Sequence, residues 1–329
     1  MTSKILVTGS SGHLGEALMR TLRAMKRDAI GLDVQPSEFT DIVGSIADRD
    51  VARRAIAGCD IVLHAATLHK PHVATHSRQE FVDTNISGTL NLLEESVAAD
   101  VGTFIFTSTT SVYGRAMNPP AGAAAVWVTE DLVPAPKNIY GVTKLAAENL
   151  CELFHHKFKL PCLVLRTSRF FPEEDDNPDT RATFTDANIK ANEFLYRRAD
   201  VEDIVSAHLL AIDKAAEIGF GRYIISATTP FARSDCPQLR HDVSAFVRHY
   251  VPGYADEYAR RGWSMLAGIE RVYDNARARD ELGWQPRYDF AHIIERLQTS
   301  DDFRSPLAQA IGSKGYHDEV FADGPYPVD

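Results

Sequence analysis

Hydrophobic positions near the start of the chain change their period within a few residues. Ile5-Leu6-Val7 is a short continuous apolar run, as in a buried strand, and a loop with glycines three positions apart follows it. Apolar residues then recur with helical spacing from Leu14 to Met25, and a second apolar run, residues 29–32, ends at Asp33. The pattern predicts a strand, a tight turn, a helix and a second strand.

The same alternation continues beyond this unit. Short extended runs occupy residues 41–46, 60–66 and 103–108, and a helical pattern covers residues 81–93 between the last two. Strands that alternate with helices in this way predict an α/β fold with a doubly wound parallel (Rossmann) sheet, whose ligands bind at the carboxyl ends of the strands. We expect residues 117–137, rich in Ala and Pro, to form a surface excursion.

The loop after the first strand has the residues of a dinucleotide site. Gly9 and Gly12 allow a sharp turn and a close approach to a pyrophosphate, and Gly15 allows the helix to pack closely on the strand. Free amides at the start of the helix then face the phosphates. Asp33, at the tip of the second strand, can accept from both ribose hydroxyls of an adenosine and would repel a 2′-phosphate. The sequence therefore favours NAD over NADP.

Composition and charge narrow the class of protein. The chain has 329 residues, of which 44% are hydrophobic, and its formal net charge of −10 argues against a nucleic-acid or anionic-membrane surface. No apolar stretch approaches the ~20 residues of a membrane span, and the N-terminus lacks a signal pattern. The four cysteines are widely separated, as free thiols in a reducing compartment are. We expect a cytoplasmic protein.

Four histidines, His64, His69, His72 and His76, raise the question of a metal site. Their spacings put no consistent set on one helical face, and no acid or cysteine joins them at ligand spacing. We predict no metal, and expect loop histidines near the cofactor or substrate.

Two stretches supply candidate catalytic groups. Hydroxyl side chains fill residues 107–111 at the end of a core strand, where a parallel sheet presents catalytic groups, although a solvated Ser/Thr loop explains them equally well. Tyr140 and Lys144 are four apart at the start of a predicted helix and share a face. An ammonium beside a phenol lowers the phenol pKa from about 10 toward the working pH, so a tyrosinate can remove a proton from an alcohol while a nicotinamide takes the hydride.

Together these stretches resemble the extended short-chain dehydrogenase/reductase family, the group that contains the NAD-dependent sugar-nucleotide epimerases and dehydratases. The strong motifs lie in the first half of the chain, and the resemblance returns in the second half. The matching segments are residues 8–15, Asp33, residues 64–66, 85–89, 108–114, 140–144, 199–208 and 275–286.

The resemblance implies roles for individual residues. Tyr140 is similar to the catalytic base, Lys144 to the residue that holds the nicotinamide ribose, and Thr109 to the hydroxyl that hydrogen-bonds the reacting oxygen. Asn85 resembles the helix asparagine that supports the site. The residues implied around NAD are Gly9, Ser11, Gly12, His13, Leu14, Gly15, Asp33, Ser45, Ile46, Ala65, Ala66, Asn85, Thr107, Tyr140 and Lys144.

The resemblance also implies an organisation. We expect residues 1–167 and 199–227 to form the NAD-binding Rossmann domain, and residues 168–198 and 228–311 a smaller, mostly helical substrate lobe. Residues 312–329 form a C-terminal tail that we expect to be a surface arm. Since relatives dimerise through the helices after Asn85 and Tyr140, we expect a homodimer.

Two departures from the family narrow the reaction. Family dehydratases carry an Asp-Glu pair directly after the catalytic Thr, and Thr110-Ser111 stands there in this chain, so dehydration is not expected. After the next strand, four arginines could clamp a carboxylate, or could neutralise the acids of residues 173–176. The arginines are Arg166, Arg169, Arg197 and Arg198, and the candidate substrate contacts are Ser108, Ser111, Arg169 and Arg197.

The sequence therefore predicts an NAD-dependent enzyme that transfers a hydride at a sugar or sugar-nucleotide carbinol, as an epimerase with Tyr140 as base. One alternative is an NAD-dependent dehydrogenase of a free sugar acid or another small alcohol. Another is a non-catalytic, NAD-binding regulatory protein.

Overall fold

Seven parallel strands form the central sheet of the computed structural model, which describes residues 3–315 and residue 321. Two further strands, β6 and β9, pair in a separate small sheet. The strands are β1 (Ile5–Thr8), β2 (Ala29–Asp33), β3 (Ile42–Val43), β4 (Ile61–His64), β5 (Thr103–Thr109), β6 (Val126–Val128), β7 (Cys162–Thr167), β8 (Phe220–Ile225) and β9 (Arg271–Tyr273). The order in the large sheet is β3-β2-β1-β4-β5-β7-β8.

Helices follow the strands on both faces of the sheet and make up most of the C-terminal region. They are α1 (His13–Ala24), α2 (Arg49–Ile56), α3 (Arg78–Val82), α4 (Gly88–Ala98), α5 (Ile139–Phe158), α6 (Pro178–Thr183), α7 (Asp186–Glu193), α8 (Val201–Ile218), α9 (Cys236–Leu239), α10 (Val243–Tyr250), α11 (Tyr254–Arg261), α12 (Ala276–Leu282), α13 (Phe290–Thr299) and α14 (Pro306–Ile311). Short 3₁₀ segments cover Lys70–Ala74, Thr110–Met117 and Arg233–Asp235, and a π-helical turn covers Asp83–Ser87.

The core has a layer on each face of the sheet because successive strand residues point in opposite directions. Ile5 and Val7 of β1 pack in one cluster with α1 and α8, while Leu6 packs in the other cluster with α2 and α4. A further cluster, with Phe194 and Phe290 among its members, fills the helical C-terminal region. The predicted doubly wound α/β fold with a helical C-terminal part is confirmed.

One local prediction was wrong, and two more were right in kind but not in detail. Residues 117–137 include β6, which pairs with the distant β9 and buries Val128, so this segment is more than a surface excursion. The extended run at 41–46 contributes only the two residues of β3. The single helix expected over 81–93 is interrupted by the π-helical turn Asp83–Ser87. No helix in the described part of the chain is long and apolar enough to span a bilayer.

Candidate active site

The glycine loop is shaped as a close-packed turn between β1 and α1. Gly9 has a φ of +73°, in the region that favours glycine, and a Cβ there would lie 2.7 Å from the amide nitrogen of Ala66. Ala65 and Ala66 continue from β4, and the amide of Ala66 donates to Thr8 Oγ1 (3.2 Å). The residues at the ends of β1 and β4 therefore form one backbone surface that a dinucleotide can approach closely.

Asp33 lies beside this loop, as predicted from its position at the end of β2. Its Oδ2 accepts from the backbone amide of Ser11 (3.0 Å), and its Oδ1 accepts from that of Gln35 (2.9 Å). Helix α1 begins after Gly12, and no side chain caps its first amides. This loop, a helix start that can face an anion and a carboxylate at the strand tip fit the pyrophosphate and ribose of NAD.

Other predicted cofactor residues surround the loop. Leu14, in the first turn of α1, is buried in the core cluster on this face of the sheet. Ile46 packs against Gly88, where a Cβ would lie 2.6 Å from Ile46 Cγ1. The hydroxyl of Ser45 accepts from the amide of Ala47 (3.1 Å). These contacts fix the chain around the adenosine end predicted from sequence.

His13, the first residue of α1, is buried against the turn that follows β7. Its ring centroid is 5.8 Å from that of Phe170 and 6.4 Å from that of Phe171. Burial lowers the pKa of His13 to about 4, so the imidazole is neutral at physiological pH. The predicted cofactor loop is thereby joined to the segment that begins the predicted substrate lobe.

Asn85 connects two parts of the predicted site. It lies in the π-helical turn, a local geometry that recurs at functional sites. Its Oδ1 accepts from the amide of Leu68 (2.8 Å) and from Thr67 Oγ1 (2.9 Å), while its Nδ2 donates to Thr143 Oγ1 (3.0 Å). Asn85 thus holds the loop after β4 against α5, which agrees with the supporting position that the resemblance implies.

Tyr140 and Thr109 meet between the start of α5 and the end of β5. Asn138 caps this helix by accepting from the amide of Gly141 (3.1 Å). Burial raises the pKa of Tyr140 to about 12, and the hydrogen bond with Thr109 opposes the shift. The neighbouring ammonium predicts a lowered phenol pKa, and this prediction is wrong, because burial of the phenol raises the pKa instead.

Lys144 lies one turn further along α5 and is also buried. Its Nζ is 3.9 Å from the ring centroid of Phe106 on β5. Burial lowers the pKa of Lys144 to about 7, because an ammonium is costly in apolar surroundings. The hydroxyl, phenol and amine predicted as catalytic are therefore brought to the carboxyl end of β5 and the start of α5.

Ser108 is buried and bonded inside the protein, while the half-buried Thr107, predicted as a cofactor residue, contacts a buried histidine. Ser108 Oγ donates to Glu148 Oε1 (2.5 Å), and the same carboxylate accepts from Arg166 Nη2 (2.7 Å). Thr107 Oγ1 lies 2.8 Å from His208 Nε2. These buried contacts correct the assignment of Ser108 as a substrate contact, and they also place Arg166 in the core.

Ser111 follows Thr109 in the 3₁₀ segment after β5. Its amide donates to Thr109 Oγ1 (3.1 Å), and a Cβ on Gly141 would lie 2.9 Å from the Ser111 carbonyl oxygen. Ser111 therefore orients Thr109 and supports the start of α5.

Arg169 and Arg197 bind the acids around them. Arg169 Nη1 contacts Asp175 Oδ2 (3.0 Å), and Arg197 Nη2 contacts Glu193 Oε1 (2.6 Å) and Asp175 Oδ2 (3.4 Å). Three arginines hold the pKa of the buried Glu193 carboxyl far below its usual value against the opposing effect of burial. Of the two interpretations that the sequence left open, the structure shows the arginines neutralising local acids.

His69 lies beside Tyr140, at the place where the sequence analysis expects a loop histidine near the cofactor or substrate. Its ring centroid is 6.3 Å from that of Tyr140 and 6.0 Å from that of Phe171. Burial, followed by the positive charges of neighbouring groups, lowers its pKa to about 3. His69 follows β4 by five residues, which places it at the carboxyl end of the sheet with Tyr140.

Three of the four histidines lie together, with ring centroids 5.8 Å apart for His69 and His72 and 5.0 Å apart for His72 and His76, and His64 lies apart from them. His64 is buried between Thr8 Oγ1 (2.8 Å) and Thr89 Oγ1 (3.0 Å), beneath the sheet end. His72 Nδ1 accepts from the amide of His69 (2.8 Å). Among residues 3–315 and 321, no group of three or more His, Cys, Asp or Glu side chains is arranged to hold a metal ion.

Comparison with known proteins places this fold and site in a family. A family model described as the NAD-dependent epimerase/dehydratase family matches residues 5–225. The chain therefore belongs to the NAD-dependent epimerase/dehydratase family. The resemblance found in the sequence is confirmed, and NAD as the cofactor is confirmed at the level of the family.

Individual relatives extend the match over most of the chain. The protein is 33% identical to the uncharacterized protein y4nG of Sinorhizobium fredii, over 94% of this chain and 81% of that protein. It is 25% identical to a UDP-glucose 4-epimerase of Rhizobium meliloti, over 89% of this chain and 95% of that enzyme. Several other curated relatives match over about half of their own length.

A solved structure shows the same fold. It is a short-chain dehydrogenase/reductase superfamily protein from Agrobacterium tumefaciens with bound NAD, with a TM-score of 0.65 at 23% identity. The match covers 90% of this chain and 96% of that one.

Proposed function

We propose that this protein is an NAD-dependent enzyme that transfers a hydride at a carbinol of a sugar or sugar nucleotide, as an epimerase. The observation that carries the proposal is that the buried side chains of Thr109 and Tyr140 meet at the end of β5, with the buried amine of Lys144 one helical turn along α5. The relative from Rhizobium meliloti, a UDP-glucose 4-epimerase, aligns over nearly its whole length and supports this reaction.

Each side chain has a separate task in this proposal. NAD, when bound, takes up and returns the hydride, and its positively charged ring favours a phenolate nearby. Thr109 holds the reacting oxygen of the substrate beside Tyr140. In the protein without cofactor the pKa of Tyr140 is about 12, and the positive nicotinamide ring would lower it, so that Tyr140 as phenolate can take the proton of the substrate hydroxyl as the hydride leaves its carbon. When the hydride returns, the Tyr140 phenol gives this proton back to the developing alkoxide, and Lys144 supplies positive charge beside it.

The division into domains and the oligomeric state also remain proposals. The core cluster that contains Phe194, Phe231 and Phe290 supports a lobe made of residues 168–198 and 228–311. Exposed apolar side chains on α5, at Val142, Leu153 and Phe158, support a homodimer through that helix.

Replacing Tyr140 with Phe tests the proposed reaction. We expect kcat to fall by about 10²-fold or more, because proton transfer is lost, while the affinity for NAD stays within about twofold. Turnover is measured on a panel of nucleotide sugars and sugar acids, with epimer formation followed by chromatography and NADH by its absorbance.

Tyr250→Phe is the matched control, because it removes a phenol that is partly exposed and bonded to Asp235, in the C-terminal region. Full activity of Tyr140→Phe would contradict the proposal. Accumulation of NADH without epimer would establish the dehydrogenase alternative, and NAD binding without turnover of any panel member would favour the regulatory one.

A further inference from the structure

A fully buried carboxylate, that of Glu148, follows the proposed catalytic residues along α5. Residues four apart on a helix share a face, so Tyr140, Lys144 and Glu148 lie one turn after another on the buried face of this helix. The side chain of Glu148 is 0% exposed. The proposed reaction gives a task to the first two residues and none to Glu148.

Glu148 joins α5 to the ends of three neighbouring strands. Its Oε1 accepts from Ser108 Oγ (2.5 Å) on β5, and Ser108 directly precedes Thr109. Its Oε2 accepts from Arg166 Nη2 (2.7 Å) on β7 and from Arg222 Nε (3.3 Å) on β8. The position of the end of β5 against α5 therefore depends on this carboxylate.

Arg166 extends the same buried network to the segment after Thr109. Its Nη1 donates to the hydroxyl of Tyr113 (2.8 Å), which lies in the 3₁₀ segment that follows β5. The guanidinium carbon also lies 4.9 Å from the centroid of the Tyr113 ring. The chain is thus held on both sides of Thr109, at Ser108 and at Tyr113, by groups that belong to one network.

The charge of Glu148 also acts on Lys144. Burial lowers the pKa of Lys144 to about 7, and Cys151 and Glu148 oppose this shift. Burial raises the pKa of the Cys151 thiol well above its ordinary value, so the thiol carries no charge at neutral pH. Of the residues that the structure describes, Glu148 is therefore the one that supplies negative charge to Lys144 at neutral pH.

Other described titratable groups around Lys144 are neutral. His64 on β4 and His69 in the loop after it both feel the charge of the lysine, and burial lowers the pKa of each imidazole, to about 3 for His69. Burial raises the pKa of Tyr140 to about 12. A change of charge at Glu148 should therefore act on Lys144 without being masked by these neighbours.

We propose that Glu148 is a positioning residue of the active site, which fixes Thr109 against α5 and keeps Lys144 as an ammonium. The inference deepens the proposed function and rests on it, since an uncharged amine would not favour the phenolate form of Tyr140 that takes the substrate proton. An ion pair between Glu148 and Arg166 that was only structural would stabilise the fold without setting the charge of Lys144.

The first test measures the pKa of Lys144 by NMR on the NAD-loaded protein, labelled with ¹³C at the lysine ε carbon. The Lys144 signal is assigned by its loss in Lys144→Met. Glu148→Gln should lower this pKa by about one unit or more, which is a tenfold loss of proton affinity. Glu152→Gln is the matched control, because Glu152 is one turn further along α5 and pairs with Arg222, and it should leave the pKa of Lys144 unchanged. An unshifted pKa in a folded Glu148→Gln protein would overturn the proposal.

A second variant covers the case in which Glu148→Gln does not fold because the Arg166 guanidinium has lost its carboxylate. Glu148→Gln combined with Arg166→Met removes both charges of the buried pair, and such an exchange is often neutral for stability. The same fall in the pKa of Lys144 is expected. If the pKa stayed where it is in the unmodified protein, the charge role of Glu148 would be refuted.

Ser108→Ala tests the positioning of Thr109 separately, because it removes one hydrogen bond to Glu148 and keeps every charge. We expect kcat to fall by about tenfold with KM little changed, since the reacting groups are misplaced, while the pKa of Lys144 stays the same. Ser96→Ala, at a buried serine in the last turn of α4, is the control and should keep kcat. Full kcat in Ser108→Ala would reject this half of the proposal.

The inference and the proposed function can fail separately, because the pKa of Lys144 is measured without turnover. A lowered pKa in Glu148→Gln, with no turnover of any sugar by the unmodified protein, would reject the function and leave the charge role of Glu148 in place. Turnover by the unmodified protein, with no shift of the Lys144 pKa in Glu148→Gln, would reject the inference alone.

Discussion

The loop at Gly9–Gly15, the proposed cofactor end of the cleft, and the ion cluster around Glu193, the proposed substrate end, are built in different ways. Around the glycine loop, the contacts are made by backbone atoms and short side chains, such as the amide of Ser11 on Asp33. Around Glu193, the contacts are made by long charged side chains, Arg197 and Arg198 among them, in surroundings where each charge depends on its partners. One end is therefore fixed by shape, and the other by charge balance.

This difference determines how each end responds to change. Close backbone packing tolerates a change of charge nearby but not an added atom. A buried ion cluster tolerates small changes of shape, but loses much stability when one charge is removed and its partners remain. Single substitutions at the two ends can separate these two kinds of sensitivity.

The largest effect is expected at the substrate end. Glu193→Gln keeps the shape of the side chain but leaves the buried Arg198 guanidinium without its carboxylate and takes one carboxylate partner from the half-buried Arg169 and Arg197, so we expect the free energy of unfolding to fall by about 3–5 kcal/mol. Urea unfolding measures the change. The exposed Glu174→Gln is the matched control and should have an effect below about 0.5 kcal/mol. A small loss at Glu193 would mean that the cluster does not depend on its charge balance.

A smaller effect is expected from acid at the cofactor end. His208, bonded to Thr107 under the sheet end, has its pKa lowered to about 4 by burial, so the unfolded chain binds a proton more readily below pH 6.5. The stability from this neutral imidazole is fully present above about pH 6.5 and is lost as pH falls toward 4.

The loss attributable to His208 should be about 2–3 kcal/mol between these pH values. His208→Gln should therefore show a shallower fall in unfolding free energy with acid than the unmodified protein. His156→Gln, on an exposed position of α5, should leave the pH dependence unchanged. Parallel pH profiles for His208→Gln and the unmodified protein would refute the assignment.

The smallest of the three effects is expected from one methyl group in the glycine loop. A Cβ on Gly15 would lie 1.8 Å from the carbonyl oxygen of Gly9, so Gly15→Ala forces the loop to move, at a cost of about 1–3 kcal/mol and with weaker NAD binding. Gly12→Ala is the control, since its Cβ would be 3.2 Å from the same oxygen. The two variants are compared by their stability, since Gly12 is itself a predicted pyrophosphate contact, and equal free energies of unfolding would show that the loop is not fixed by close packing.

The same contrast explains what the sequence could and could not predict. The strand, turn and helix at Gly9, and the acid at Asp33, follow from spacing because neighbouring residues make the structure. The pairing of Arg197 with Glu193 and Asp175 depends on tertiary contacts, so composition alone left two interpretations open. At Tyr140, a lysine one turn away predicts a lower phenol pKa. The structure shows that the phenol is buried, and burial raises its pKa.

The small sheet of β6 and β9 sets an order of events during synthesis. Trp127 of β6 donates to Asp274, which directly follows β9, across 147 positions of the chain (2.9 Å). A ribosome synthesises β6 before β9, so residues 126–128 are unpaired while the central strands β7 and β8 are made. The small sheet can therefore be completed only late in synthesis, once residues 271–273 have been made.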